Sequence, residues 1–207
     1  RAKVATNLLH DYGYFNGTVS YQEVPQKNPK EAKVNYVIDM AQPYFLDSIA
    51  YLRYPHYADS LIQSTRSQSV LKSAENFNVL KLEEERQRLS NLFRNHGYYY
   101  YRPEFITYRA DTLQKSGYVS LQVVPRNGIP AEAKKQYYIG NTSVYLTGYD
   151  NEPPTDTLRL RTMTFYYSGK KPGIRPNALM RNVFFRKGEL FSQDRQTFTQ
   201  EAIARMG

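Results

Sequence analysis

The 207-residue sequence contains no cysteine and no tryptophan. The missing cysteine excludes a disulfide scaffold, a thiolate zinc site and a cysteine nucleophile. It leaves the compartment open, since proteins on either side of a membrane can do without disulfides. No apolar run approaches the ~18 residues of a membrane-spanning helix. His10, His56 and His96 are the only histidines, and they form no His-x-x-x-His or His-Glu-x-x-His pair. An Asp-rich calcium loop, a Gly-x-Ser-x-Gly elbow and a glycine-rich phosphate loop are also missing. No catalytic constellation, cofactor site or metal site follows from the residues, and the chain reads as non-enzymatic. It opens on Arg1 without an initiator methionine or an apolar leader, so it reads as a segment of something longer.

What is present is charge and tyrosine. Lys and Arg number 28 against 19 Asp and Glu, a net charge of +9. These cations stand singly or in pairs such as Lys134-Lys135 and Lys170-Lys171, without a basic block of roughly five to eight. That spacing argues against nucleic acid and for a cationic surface facing anionic lipid or acidic partners. A hydrophobic fraction of 41% is too high for a disordered chain, and 20 Tyr with 10 Phe supply bulky core material.

A unit recurs when the glycine-aromatic signals are aligned. Leu8, Leu9 and His10 lead to Gly13-Tyr14-Phe15 and an alternating stretch at 18–24. Leu89, Leu92, Phe93 and His96 lead to Gly97-Tyr98-Tyr99 and then Phe105-Ile106-Thr107-Tyr108. Ala202, Ile203 and Met206 begin a third copy that reaches Gly207. Leu82, Leu89, Leu92 and Phe93 recur at helical spacing, so each copy predicts an amphipathic helix. Gly13 and Gly97 then stand where a helix ends in a left-handed residue. A hairpin follows each: 18–24 with 32–40, and 105–108 with 118–124. A further strand comes next, at 44–51 and at 137–146, each leading to a short helix, at 58–68 and 175–181. Lys72-Ser73-Ala74-Glu75-Asn76-Phe77 parallels Arg186-Lys187-Gly188-Glu189-Leu190-Phe191 as the turn before the long helix.

Several residues admit a plainer reading. Helix-end capping accounts for His10 and His96 more simply than metal ligation. Glu83, Glu84 and Glu85 point around a helix instead of converging, and read as a solvated first turn. Tyr98, Tyr99, Tyr100 and Tyr101 read as a strand with one buried face and one tyrosine-lined face; the functional alternative is a recognition ledge.

The order of elements, with Gly13-Tyr14-Phe15, Gly97-Tyr98-Tyr99 and the turn around Gly188, resembles the POTRA module, the periplasmic repeat of outer-membrane assembly proteins of the BamA/TamA type. The tyrosine run and the Glu-rich helix resemble the TamA-like lipoprotein branch of the Bacteroidetes. The resemblance implies an α+β fold of tandem POTRA modules (β-α-α-β-β, a three-stranded sheet with two helices on one face). Residues 1–42 would be the C-terminal half of one module, 43–133 a complete module and 134–207 the N-terminal part of another, with both end modules incomplete. Residues 150–158 and 168–173 enlarge the last unit, as a surface loop or an extra hairpin.

The resemblance further implies the periplasmic face of the outer membrane and a C-terminal membrane β-barrel elsewhere in the parent chain. Partners would be unfolded outer-membrane protein precursors and accessory subunits, with no nucleic acid. In the POTRA order the middle strands, 104–109 and 18–24, are sheet edges that can accept an added strand from a client. Candidate contacts are Phe105, Ile106, Thr107 and Tyr108, with Val19 and Tyr21. Pro103 and Arg109 could instead blunt that edge, and a proline at Thr107 is the test that the sequence suggests. A polypeptide-secretion pore and a plain structural spacer are the alternative readings.

Overall fold

The computed structural model describes residues 1–27, 31–146 and 153–206. The architecture is α+β, in two compact units: residues 1–89 with 102–128, and residues 90–101 with 129–207.

The first unit opens with α1 (Ala2–Asp11) and an antiparallel hairpin of β1 (Thr18–Pro25) and β2 (Ala32–Asp39). None of these three elements buries a residue, as expected of a two-stranded ribbon covered only by one short helix. Then come β3 (Phe45–Tyr51), α2 (His56–Ser64), a 3-10 turn (Arg66–Gln68), α3 (Val79–Asn95), β4 (Ile106–Asp111) and β5 (Tyr118–Pro125). This is the strand-helix-helix-strand-strand order of a POTRA module. The sheet runs β3-β5-β4, with β3 parallel and β4 antiparallel to β5. Val119, Leu121 and Val123 alternate along β5 and are fully buried, so the most apolar strand takes the centre. Each such side chain contributes roughly 1.5–3 kcal/mol by leaving water.

Two sequence expectations change here. Glu85 does not lie on a solvated first turn. Helix α3 begins at Val79, and Glu85 lies three residues after Leu82 and four before Leu89, on the stripe that faces inward. Its side chain is 0% exposed. The tyrosine run is not a strand either. The Tyr99 N–H bonds the Gly97 carbonyl and the Tyr101 N–H bonds the Tyr98 carbonyl, which closes the segment into turns. The turns send Tyr98 and Tyr101 onto Phe93, with ring centroids 5.8 and 4.6 Å away.

In the second unit, β6 (Thr142–Leu146), β7 (Asp156–Leu160) and β8 (Met163–Tyr167) precede α4 (Pro176–Arg181) and α5 (Gln193–Ala204). The order is β6-β8-β7, with β6 parallel and β7 antiparallel to β8. This repeats the wiring of β3-β5-β4 with a hairpin that comes before the helices. The enlargement expected at 150–173 is thus a hairpin over 156–167, its upstream part from Asp150 to residue 152 lying outside the described residues. Met163 and Phe165 on its central strand pack with Val144, Leu146, Leu158 and Leu160 against Leu179, Met180 and Val183. The hairpin closes a core that the sequence reading had left half-built.

The turn before each long helix is the same construction. The Ala74 N–H donates to the Leu46 carbonyl at 2.7 Å, and the Gly188 N–H to the Ile139 carbonyl at 2.8 Å. Both residues are left-handed, with φ of 66° and 85°. Alanine carries a steric cost there that glycine does not. Ala74→Gly is expected to stabilise the chain by about 0.5–1 kcal/mol, read as a raised midpoint in urea unfolding. A neutral or destabilising result would mean that the turn is not strained.

Candidate strand-docking site

A sheet edge can dock a strand only where its outward N–H and carbonyl groups are free. In β3-β5-β4 the β3 side is closed by the chain itself. The Leu46 N–H donates to the Glu75 carbonyl, while the Ala74 and Phe77 N–H groups donate to the Leu46 and Tyr44 carbonyls. Arg66 Nη2 reaches the Ile49 carbonyl at 2.7 Å. The opposite side, β4, pairs with β5 alone.

The bond from the Arg126 N–H to the Phe105 carbonyl, 2.7 Å, sets the phase of β4. Hydrogen-bonded pairs alternate along an antiparallel ladder, so Thr107 with Val124 and Arg109 with Gln122 continue it. Ile106, Tyr108 and Ala110 therefore turn their backbone groups away from β5; the Ile106 N–H is taken by the Pro103 carbonyl, and among the described residues no hydrogen bond closes those of Tyr108 and Ala110. This separates the four candidates. Phe105 lies in a 3-10 turn (Pro103–Phe105), before the strand. Ile106 offers its carbonyl only, because its side chain is buried and its N–H caps the 3-10 turn. Thr107 spends its N–H on β5, so a proline there would break the sheet and not the edge. Tyr108 offers outward backbone, while its ring packs inward and its hydroxyl donates to the Leu82 carbonyl at 2.7 Å. Burial, first, and the Glu85 carboxylate hold the Tyr108 phenol well above its ordinary pKa. Ala110 was missed by the sequence reading, since only the ladder phase shows which residues face out.

On β1, the Val19 N–H is already taken by Thr6 Oγ1 at 3.1 Å. Tyr21 is exposed on the same ribbon. Val34, Tyr36 and Ile38 of β2 are exposed too, and their alternation in the sequence was the available signal.

Behind β3 lies a buried polar network. Glu85 accepts from the Tyr51 hydroxyl (2.6 Å), from Arg88 Nη2 and Nε (2.6 and 2.9 Å) and from the Val70 N–H (3.2 Å). Ser69 Oγ stands 2.9 Å from the Tyr51 hydroxyl. Burial and the bond to Glu85 push the Tyr51 phenol up to about 12, so it remains a donor at neutral pH. The network ties the 65–71 connection to β3 and α3.

The motif glycines build a repeated joint. Tyr44 donates its N–H to the Gly13 carbonyl at 2.9 Å, and Tyr137 to the Gly97 carbonyl at 2.8 Å. Phe15 meets Tyr44 and Phe77, centroids 5.0 Å apart in both cases. Tyr99 meets Tyr137 and Phe191 at 6.4 and 4.7 Å. Tyr14 lines a cleft of about 480 Å³ with Tyr12, Glu75, Asn76 and Lys81, the last ion-paired to Glu75. His96 Nδ1 donates to the Leu92 carbonyl at 2.8 Å, inside the helix end, whereas His10 Nε2 donates to the Gly17 carbonyl at 3.2 Å, outside it. Among the described residues no group of acidic and histidine side chains could hold a metal ion, and no helix is long and apolar enough to cross a membrane.

No family model and no curated protein matches the sequence. The structure is similar to solved POTRA structures. With POTRA3–5 of Haemophilus influenzae BamA the identity is 9% and the TM-score 0.49, over 100% of this chain and 68% of that one. With the N-terminal domain of Omp85 from Thermosynechococcus elongatus the values are 14% and 0.30, over 100% and 71%. With POTRA1–3 of Anabaena Omp85 they are 16% and 0.28, over 99% and 70%.

Proposed function

We propose that the chain is a tandem POTRA region of a BamA/TamA-like outer-membrane assembly protein, and that β4 receives unfolded client strands by main-chain pairing. The module division is the one read from the sequence: 1–42, 43–133 and 134–207. Clients are unfolded outer-membrane protein precursors, accessory subunits dock on the same modules, and a C-terminal barrel in the parent chain holds them at the periplasmic face of the outer membrane. The TamA-like branch rests only on the tyrosine run and the Glu-rich helix. The modules bind and orient without catalysing.

The asymmetry of the β3-β5-β4 sheet carries the reading. One of its edges is closed by Arg66 and residues 74–77, and the other presents the Ile106 carbonyl and the backbone of Tyr108 and Ala110. A strand added there meets a sheet already backed by a core, so little ordering entropy opposes docking. The β1–β2 ribbon lacks that backing. Main-chain pairing gives affinity without demanding one sequence, which suits a receiver of many clients.

Ala110→Pro tests this, because it removes an outward N–H and leaves the ladder to β5 intact. Photo-crosslinking from position 109 to an amphipathic barrel-strand peptide should fall roughly tenfold, as for about one lost hydrogen bond. The far-UV circular dichroism should not change. A folded Ala110→Pro protein that cross-links as well as the parent would end the strand-docking reading.

A further inference from the structure

The net charge is concentrated in one stretch of the sequence. Residues 157–188 carry eight Lys and Arg and no Asp or Glu, leaving 20 basic and 19 acidic residues for the rest of the chain. The β7–β8 hairpin bears Arg159 and Arg161, Lys170 and Lys171 follow β8, and Arg186 and Lys187 precede Gly188. Helix α4 adds a cation at each end, Arg175 and Arg181. All eight are exposed. Among the described residues none of them makes an ion pair, while Arg195 and Arg205 of the same unit hold Glu189 and Glu201. Asp194 receives Asn95, and Asp156 receives the Thr155 hydroxyl. The acids just upstream, Asp150 and Glu152, lie outside the described residues.

Large apolar side chains stand exposed within the same stretch. Ile174 is 42% exposed beside Arg175, and Phe184 is 47% exposed two residues before Arg186. Uncompensated cations interleaved with exposed apolar groups make up the pattern of a surface that rests at a lipid headgroup layer, with charge on phosphates and apolar side chains dipping between them. A nucleic-acid site would instead ask for stacking aromatics along a cationic groove. The aromatic pair on this sheet, Tyr145 and Tyr166, is stacked on itself at 4.8 Å and 10°.

We infer that residues 157–188, the β7–β8 hairpin and α4 with the turns that follow each, form a docking surface for an anionic phospholipid bilayer, held by phosphate headgroups. This is independent of strand docking at β4, which lies in the other unit.

Vesicle flotation of the full chain tests it, with phosphatidylcholine vesicles compared with a phosphatidylcholine–phosphatidylglycerol mixture. Flotation should need phosphatidylglycerol and weaken with added salt. Each cation near such a surface is worth roughly fivefold in binding, so the combined K170E, K171E, R186E and K187E protein should lose on the order of a hundredfold or more. Phe184→Ser should weaken flotation several-fold and leave retention on heparin and on single-stranded DNA unchanged. Circular dichroism checks that the variants fold, and exposure of all four charged sites predicts that they do. The inference is overturned by no flotation with phosphatidylglycerol at low salt, or by flotation that the fourfold variant does not weaken. DNA binding tighter than vesicle binding and lost in the fourfold variant would overturn it in favour of nucleic acid, and an unchanged Phe184→Ser protein would remove the bilayer from the reading.

Discussion

Glu85→Ala is expected to destabilise the chain by about 3 kcal/mol, at the lower end of what breaking a buried ion pair costs. The loss has two parts. Arg88, whose side chain is 17% exposed, keeps its charge without the carboxylate that holds it. The Tyr51 hydroxyl is left with Ser69 Oγ alone and the part-buried Val70 N–H loses its acceptor, and an unmet buried donor costs about 1–3 kcal/mol. Arg88 has some route to water, which is why the lower end is expected. Glu85→Gln retains an acceptor oxygen and should fall between parent and alanine. Tyr51→Phe removes the bonds to Glu85 and Ser69 and should cost about 1–2 kcal/mol. Urea unfolding followed by circular dichroism measures all three. A Glu85→Ala cost below about 1 kcal/mol would show that water replaces the carboxylate and that the network is not dry.

The network also shows why part of this fold was hidden in the sequence. Three consecutive glutamates on a helix read as solvent-facing because charge seldom enters a core unpaired. Only one of the three lies on the buried stripe, and its partners come from positions 51, 70 and 88. Apart from Arg88, one turn further along α3, no short-range pattern joins them to position 85. The helix–glycine–hairpin repeat was legible because its signals are local: helical spacing in 82–93, a left-handed glycine, then alternation. The β7–β8 hairpin was legible only as one of two alternatives, a surface loop being the other, since residues 156–167 lack the Asn-Gly type of turn and place Arg161 at positive φ instead. At the docking edge, the strand was visible and its orientation was not. Which of Thr107 and Tyr108 faces outward depends on pairing with β5, and a shift of one residue reverses the answer. The charge concentration at 157–188 was present in the composition, but a search for contiguous basic blocks passes over cations spread across a hairpin and a helix.

Gly13→Ala is expected to cost about 2–4 kcal/mol, and Gly97→Ala clearly less, about 1–2 kcal/mol, although both occupy the same place in the repeated joint. Both glycines are left-handed, φ 88° and 94°, so a methyl group carries a backbone penalty at either site. The difference lies in what that methyl would meet. At Gly13 it would stand 2.8 Å from the Phe77 carbonyl oxygen and 3.2 Å from the Tyr44 carbonyl oxygen. Those are main-chain atoms: the Phe77 N–H is bonded to that same Tyr44 carbonyl, so neither can retreat without opening the turn that closes β3. At Gly97 the nearest atom, also at 2.8 Å, is a Leu190 Cδ, which another rotamer can withdraw. Loosening the first joint would therefore also free the Tyr44 and Leu46 backbone, giving the β3-β5-β4 sheet a second open edge. Hydrogen exchange should report this as faster exchange at Phe77 and Leu46 in Gly13→Ala, with the corresponding amides of Phe191 and Ile139 little changed in Gly97→Ala. Equal costs at the two glycines would mean that the backbone conformation alone, and not the packing of the joint, requires glycine there.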